Sequence, residues 1–276
     1  VAQDFLVSLA HGDRLEHLID RACAPGGASS VRATQVLLQL GEEVVPALLG
    51  AAVLERDPDR RGQMHGVLIA MGEKTLPELL RAMDADDPEL VRTAVRLAGE
   101  SQNPGAIARL ADLLTSSPDR EAREEAAKAL VRIGTPRAVE LLVRAIDDPK
   151  VGDVAIYCLG ACGSARPVEP LVQAMQTAID AGRLDRAREI IRALGRLGRA
   201  EAVPALAALL LRKSVLGRRK LREMKLAAAT ALAGLPGDEA VGALAQAARS
   251  RDPQLRRVAQ TALDRRARSL SRTASA

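Results

Sequence analysis

The sequence predicts an all-α fold, a right-handed α-solenoid of about seven helical hairpins closed by capping helices at both ends. Three observations lead there. An apolar stripe spaced i, i+3, i+4, i+7, which lines one face of a helix, is written seven times: Val45/Leu48/Leu49/Ala52, Leu76/Leu79/Leu80/Met83, Ile107/Leu110/Ala111/Leu114, Val139/Leu142/Val143/Ile146, Val168/Leu171/Val172/Met175, Val203/Leu206/Ala207/Leu210 and Val241/Leu244/Ala245/Ala248. The stripes start 31, 31, 32, 29, 35 and 38 residues apart, the period of stacked two-helix units rather than of one core. Helix breakers recur between them at the same period.

Taken in order, the elements run as follows. At the front, Phe5, Leu6 and Leu9, then Leu15, Leu18, Ile19 and Ala22, suggest two capping helices before a Pro25-Gly26-Gly27 linker, so residues 1–28 form a cap and residues 29–270 the array. Each stripe helix is preceded by another helix that ends near a glycine or other helix breaker. Ala126, Leu130 and Ile133 make such a face and Gly134 follows, free to take the left-handed backbone that closes a helix. Gly41, Gly72 and Gly198 occupy the same place, and Pro46, Pro77 and Pro204 sit in the first turn of the next helix, where a missing N–H costs nothing. Units separate at Asp57-Pro58, Asp87-Pro88, Ser117-Pro118, Asp148-Pro149 and Asp252-Pro253, a cap followed by proline. A last helix carries Val258, Ala262 and Leu263 with Arg265, Arg266 and Arg268 on its other face, and residues 271–276 read as a flexible tail.

The motif Asp87-Pro88-Glu89-Leu90-Val91-Arg92-Thr93-Ala94, and again Asp252-Pro253-Gln254-Leu255-Arg256-Arg257-Val258-Ala259, resembles the HEAT repeat in the short form named after the phycobilisome lyases. The resemblance spans roughly residues 29–268. Two units depart from it: Ser101-Gln102-Asn103-Pro104 lacks the glycine, and Gly152-Asp153 stands where Val-Arg is expected. Repeat-level similarity of this kind implies helix packing and does not carry over a pigment site.

Composition narrows function. Tyr157 and Phe5 are the only aromatic residues of 276, and Trp is absent, so a partner is held by charged and short apolar side chains. No apolar run approaches the ~20 residues that span a bilayer, no signal segment opens the chain, and three cysteines do not make a secreted disulfide framework, which together suggest a reducing cytoplasm. The three histidines form no His-x3-His and none precedes Glu, unlike deoxyhypusine hydroxylase, whose repeats are similar but carry His-Glu iron ligands. Cys158 and Cys162, one turn apart, lack the further ligands zinc wants and read as packing residues. With no phosphate-cradling glycine motif and no nucleophile elbow, no catalytic residue, cofactor or metal is expected.

What remains is charge. Residues 1–138 carry 16 Lys and Arg against 21 Asp and Glu, and residues 139–276 carry 24 against 14. Arg212, Lys213, Arg218, Arg219, Lys220, Arg222 and Lys225 crowd fourteen positions. In HEAT proteins the second helix of a unit usually lines the inner surface, so exposed positions five after each stripe start become candidate readers: Gly50, Arg81, Asp112, Arg144, Gln173, Ala208 and Gln246. The sequence therefore points to a non-catalytic scaffold that binds a partner protein through this surface and a basic C-terminal end. Nucleic-acid backbone or another polyanion at the basic half is the alternative, and a lyase-like or regulatory domain of a larger enzyme a weaker one.

Overall fold

The computed structural model describes residues 12–24, 27–212 and 218–273, with side-chain environments as far as residue 268 apart from 218–220. Among these residues there are sixteen α-helices and no strand: α1 Asp13–Ala22, α2 Ala28–Leu40, α3 Val45–Leu54, α4 Pro58–Ala70, α5 Leu76–Ala82, α6 Pro88–Glu100, α7 Ile107–Ser116, α8 Arg120–Ile133, α9 Pro136–Arg144, α10 Gly152–Ala161, α11 Val168–Asp180, α12 Leu184–Leu197, α13 Val203–Leu211, α14 Arg218–Leu232, α15 Asp238–Ala247 and α16 Pro253–Thr273. The expected helical-repeat architecture is present. Every stripe begins on an odd-numbered helix from α3 to α15, the second row, with Met83, Ile146 and Ala248 just past the helix end, and the even-numbered helices form the first row.

Packing divides the chain into two units, Val1–Thr135 and Pro136–Ala276, where the sequence alone suggests a single array from 29 to 270. The stripes form the core of each. All four members of the first and sixth stripes are buried, while in the third, fourth and fifth only the third member is half-buried. The seventh is the loosest, with Val241 37% exposed. At the front, α1 packs on α2, and Arg60 of α4 reaches Asp20 of α1 at 2.6 Å. The earlier capping helix expected around Phe5, Leu6 and Leu9 lies outside the described residues.

Local chemistry explains the helix ends. Asp57, Asp87 and Asp252 each accept a hydrogen bond from the backbone N–H two residues on, at 3.0, 2.9 and 2.9 Å, with proline in the first turn. Two expected starts move. The cap of α8 is Asp119 rather than Ser117, because its carboxylate accepts from the Glu121 N–H at 3.0 Å. Asp148 instead caps a turn by accepting from the Lys150 N–H at 2.7 Å, and α10 begins only at Gly152, where a Cβ would lie 2.2 Å from the Ile146 carbonyl oxygen. That crowding accounts for glycine in place of the motif's valine. Gly134 and Gly198 close α8 and α12 in the left-handed conformation, and in the unit that lacks the glycine Gln102 takes it instead, at φ 51°. At the far end α16 continues to Thr273, past the point where a tail was expected to begin.

The stretch Ala28–Leu54 has the length and hydropathy of a membrane span, a property the search for an unbroken apolar run missed. It is not one helix here. The chain turns at Gly41, φ 66°, into separate helices of 13 and 10 residues whose apolar faces are buried within the unit.

Three first-row pairs, α6 with α8, α10 with α12 and α12 with α14, approach backbone to backbone. A Cβ added at Gly99 of α6 would sit 2.6 Å from the Ala129 Cα of α8, one at Gly160 of α10 2.8 Å from the Ala193 Cα of α12, and one at Gly195 of α12 2.9 Å from the Ala231 Cβ of α14. Second-row neighbours stand farther apart: α3 and α5, α5 and α7, and α11 and α13 scarcely touch, although α13 and α15 do pack side by side. A methyl group therefore has no room at the three glycines. Gly99→Ala is expected to destabilise unit 1 by about 1–3 kcal/mol through overpacking, against its gain in helix propensity. Gly66→Ala and Gly242→Ala, where nothing lies within 4 Å, are expected to stabilise by about 0.5–1 kcal/mol. Urea midpoints of the three variants check both signs.

Candidate interaction surface

The close spacing of the first row turns its outward-facing side chains into continuous charged surfaces, which differ between the units. In unit 1 a groove of about 410 Å3 between α6 and α8 is lined by Glu89, Arg92, Thr93, Arg96, Glu121, Glu124, Glu125 and Lys128. Its charges largely satisfy one another. Arg92 reaches Asp119 at 2.8 Å and Glu121 at 3.3 Å and also pairs with Glu89, Lys128 meets Glu125 at 2.6 Å, and the Arg120 guanidinium meets Glu124 at 2.8 Å. Asp119 thus caps α8 and ties it to α6. Burial opposes its charge, yet the Glu121 N–H and the Arg92 guanidinium outweigh that and hold its carboxyl below the usual carboxylate range.

His65 of α4, whose charged neighbours are Arg96 of this groove and Arg61, is half-buried, and its Nε2 is enclosed without a hydrogen-bond partner. Burial first, then the neighbouring Arg96 and Arg61 guanidinium groups, push its pKa down to about 4.

Unit 2 places a wider groove, about 710 Å3, among α12, α14 and α16. Arg188, Arg192, Arg196 and Arg265 stand around it, Glu223 is the one carboxylate on its lining, and Gly195, Leu226, Ala227, Ala231 and Gly234 give it an apolar floor. Arg188, Arg192 and Arg196 recur every four residues along α12, so they project along one helix face. Next to them Tyr157 of α10 is 58% exposed, with the Arg196 guanidinium 5.1 Å from its ring centroid, inside cation–π range.

The residues singled out from sequence fall elsewhere. Arg81 on α5, Asp112 on α7, Arg144 on α9, Gln173 on α11 and Gln246 on α15 are exposed on second-row helices, Gly50 is half-buried and Ala208 exposed, and neither groove includes any of them. Arg81 pairs with Glu78 and Arg144 with Glu140 of their own helices. Gln173 lines a separate hollow of about 560 Å3 between α9 and α11, floored by Val139, Val143 and Ala174. In the basic cluster, Arg212 is exposed after α13, Lys213 lies outside the described residues, and Arg218, Arg219 and Lys220 open α14 with side chains outside the description. Arg222 is committed to Asp252, the cap of α16, at 2.6 Å. Lys225 is half-buried, and burial pushes its ammonium below the ordinary lysine range despite Asp252 nearby.

Sequence reasoning missed Arg188, Arg192, Arg196, Arg265 and Tyr157 as a group. The i, i+4, i+8 arginine stripe on α12 was the available signal. Cys23 and Cys158 are buried, Cys162 is half-buried, and all three are free thiols; among the described residues no three His, Cys, Asp or Glu side chains converge as a metal site.

Residues 76–156 and 115–189 match the family of HEAT repeats, and residues 187–212 match the PBS lyase HEAT-like repeat. Residues 76–212 thus carry HEAT repeats, of a helical-repeat fold typical of protein-interaction scaffolds. No curated protein matches it. Among solved structures it is similar to human deoxyhypusine hydroxylase in complex with glycerol, at 20% identity over 88% of this chain and 100% of that one, TM-score 0.35. It is also similar to the complex of CpcE and CpcF of phycocyanin lyase from Nostoc sp., at 20% identity over 80% and 94%, TM-score 0.37. Importin beta is a further likeness, at 14% identity over 93% of this chain and 45% of that one, TM-score 0.45.

Two outcomes are expected of unit 1. Asp119→Ala removes both the cap and the Arg92 pair and should cost about 1–2 kcal/mol in denaturant unfolding, whereas Asp119→Asn keeps the capping oxygen and should cost less. Because folding favours neutral His65, its contribution is complete above the ordinary pKa of 6.5 and is lost as pH falls from there toward about 4. His65→Leu should therefore show a smaller drop in urea midpoint across that window than the parent chain.

Proposed function

We propose that this chain is a non-catalytic interaction scaffold of the cytoplasm that holds a partner protein on the first-row faces of its units. The observation that carries the reading is the unit 2 groove, where arginines held on rigid helices surround an apolar floor and leave an exposed tyrosine beside it. Charged rims over apolar centres, with arginine and tyrosine enriched, are what protein interfaces use. Packed helices also present these side chains on a backbone that needs no ordering on binding, so more of the contact energy is kept. The basic C-terminal half adds attraction at a distance, chiefly to the rate of encounter. The mixture of glutamates and arginines along both first rows suits a protein surface, whose charges alternate, better than a uniform polyanion.

The test is site-resolved cross-linking in native lysate, with a photoreactive residue at position 157 in one preparation and at position 173 in another. A stoichiometric protein adduct is expected from position 157. Adducts formed only from position 173, or adducts that prove to be nucleic acid, would reject the reading.

A further inference from the structure

We infer that the unit 2 groove receives an acidic, leucine-bearing helix of a partner protein, a conclusion that rests on the scaffold reading above and gives it a chemistry. The two first-row grooves share an architecture, and their charges set them apart. In unit 1 the lining has four glutamates against three cations, and the ion pairs already described close most of them. In unit 2 four arginines face one carboxylate. Arg188 spends its charge on Asp185 and, at 3.7 Å, on Glu223, and Arg192 pairs with Glu189 of its own helix. Among the described residues neither Arg196 nor Arg265 has an acidic partner.

Geometry sets the shape of the occupant. Arginines four residues apart rise about 6 Å each along α12, the same repeat as carboxylates four apart on a helix laid alongside. The floor of Leu226, Ala227 and Ala231 offers alkyl surface, and Thr230, the one hydroxyl on the lining, already donates to the Leu226 carbonyl oxygen at 2.9 Å, so the floor suits the aliphatic face of an amphipathic helix. Glu223 and Glu189 would repel a uniform polyanion but can be stepped over by a peptide whose charges are spaced. Arg196 already covers one face of Tyr157, the one aromatic side chain of the groove region that could stack on a base.

Tyr157 also makes the test local, because the chain has one tyrosine and no tryptophan. The probes are a capped helical peptide of about 16 residues with Glu at every fourth position and Leu on the adjoining face, its Glu-to-Lys counterpart, and a mixed-sequence DNA duplex. With the full chain, the acidic peptide should give a saturable change in Tyr157 fluorescence. Arg192→Glu combined with Arg265→Glu should weaken binding at least about tenfold, with the helical circular dichroism unchanged. Arg137→Glu, the same charge change on exposed α9, should leave affinity within about twofold of the parent. The inference is overturned if the peptide gives no saturable change, if the Lys peptide binds as well, if Arg137→Glu weakens binding as much as the groove variant, or if the duplex binds more tightly than the peptide. Protein cross-linked at position 157 and unaffected by the groove variant would remove this chemistry while leaving the scaffold reading in place; no cross-linked protein would remove both.

Discussion

Contact between the backbones of successive first-row helices is the constraint from which the rest of each unit follows. At Gly99 against Ala129, Gly160 against Ala193 and Gly195 against Ala231 the helices meet where no larger side chain fits. Dispersion contacts are short-ranged, so this proximity gains packing only because both surfaces are bare at that point. Bulk is displaced to the two sides. Inward it becomes the Leu, Val and Ile stripes of the second-row helices, and outward it becomes the long charged side chains that wall the grooves. A hairpin by itself would leave its stripe half in water, and stacking is what buries it.

The same scaffold then carries two different surfaces. In unit 1 charges are spent within the structure: Asp119 both caps α8 and holds Arg92, and Glu124 and Glu125 are met by Arg120 and Lys128. Each exposed pair is worth about 1 kcal/mol or less, but together they leave the charges of this groove largely self-paired. In unit 2 Arg188 and Arg192 are paired, but Arg196 and Arg265 have no acidic partner among the described residues, and the apolar floor beneath is partly open. Contacts of the first kind favour keeping the surface to itself. Those of the second kind leave interactions unmade until a partner arrives.

Structural use of charge also trims the basic cluster that dominates the C-terminal half of the sequence. Arg222 is drawn into the cap of α16 through Asp252, and Lys225 has lost part of its hydration to burial. Arg266 spans to the carbonyl oxygens of Leu232, Leu235 and Gly237, so it fastens α16 to the end of α14. Positive charge counted along the chain therefore overstates what this end presents to solvent. The arginines that do face solvent around the groove were spread over positions 188 to 265 and formed no run.

What the sequence determined was the set of helices and their inner faces, because a period of 3.6 residues and a recurrence near 31 are local and repetitive signals that each unit repeats. Pro46, Pro77 and Pro204, and the glycines at 41, 72, 134 and 198, were legible for the same reason: each acts within one turn. The tertiary structure decided which row lies close and which lies open, since that depends on small residues some thirty positions apart meeting across helices. It also decided which charges are spent, because an ion pair such as Arg92 with Asp119 or Arg222 with Asp252 is a relation in space between repeats. A stripe tells which way a helix faces its core, and only the neighbouring helices settle what its outer face meets.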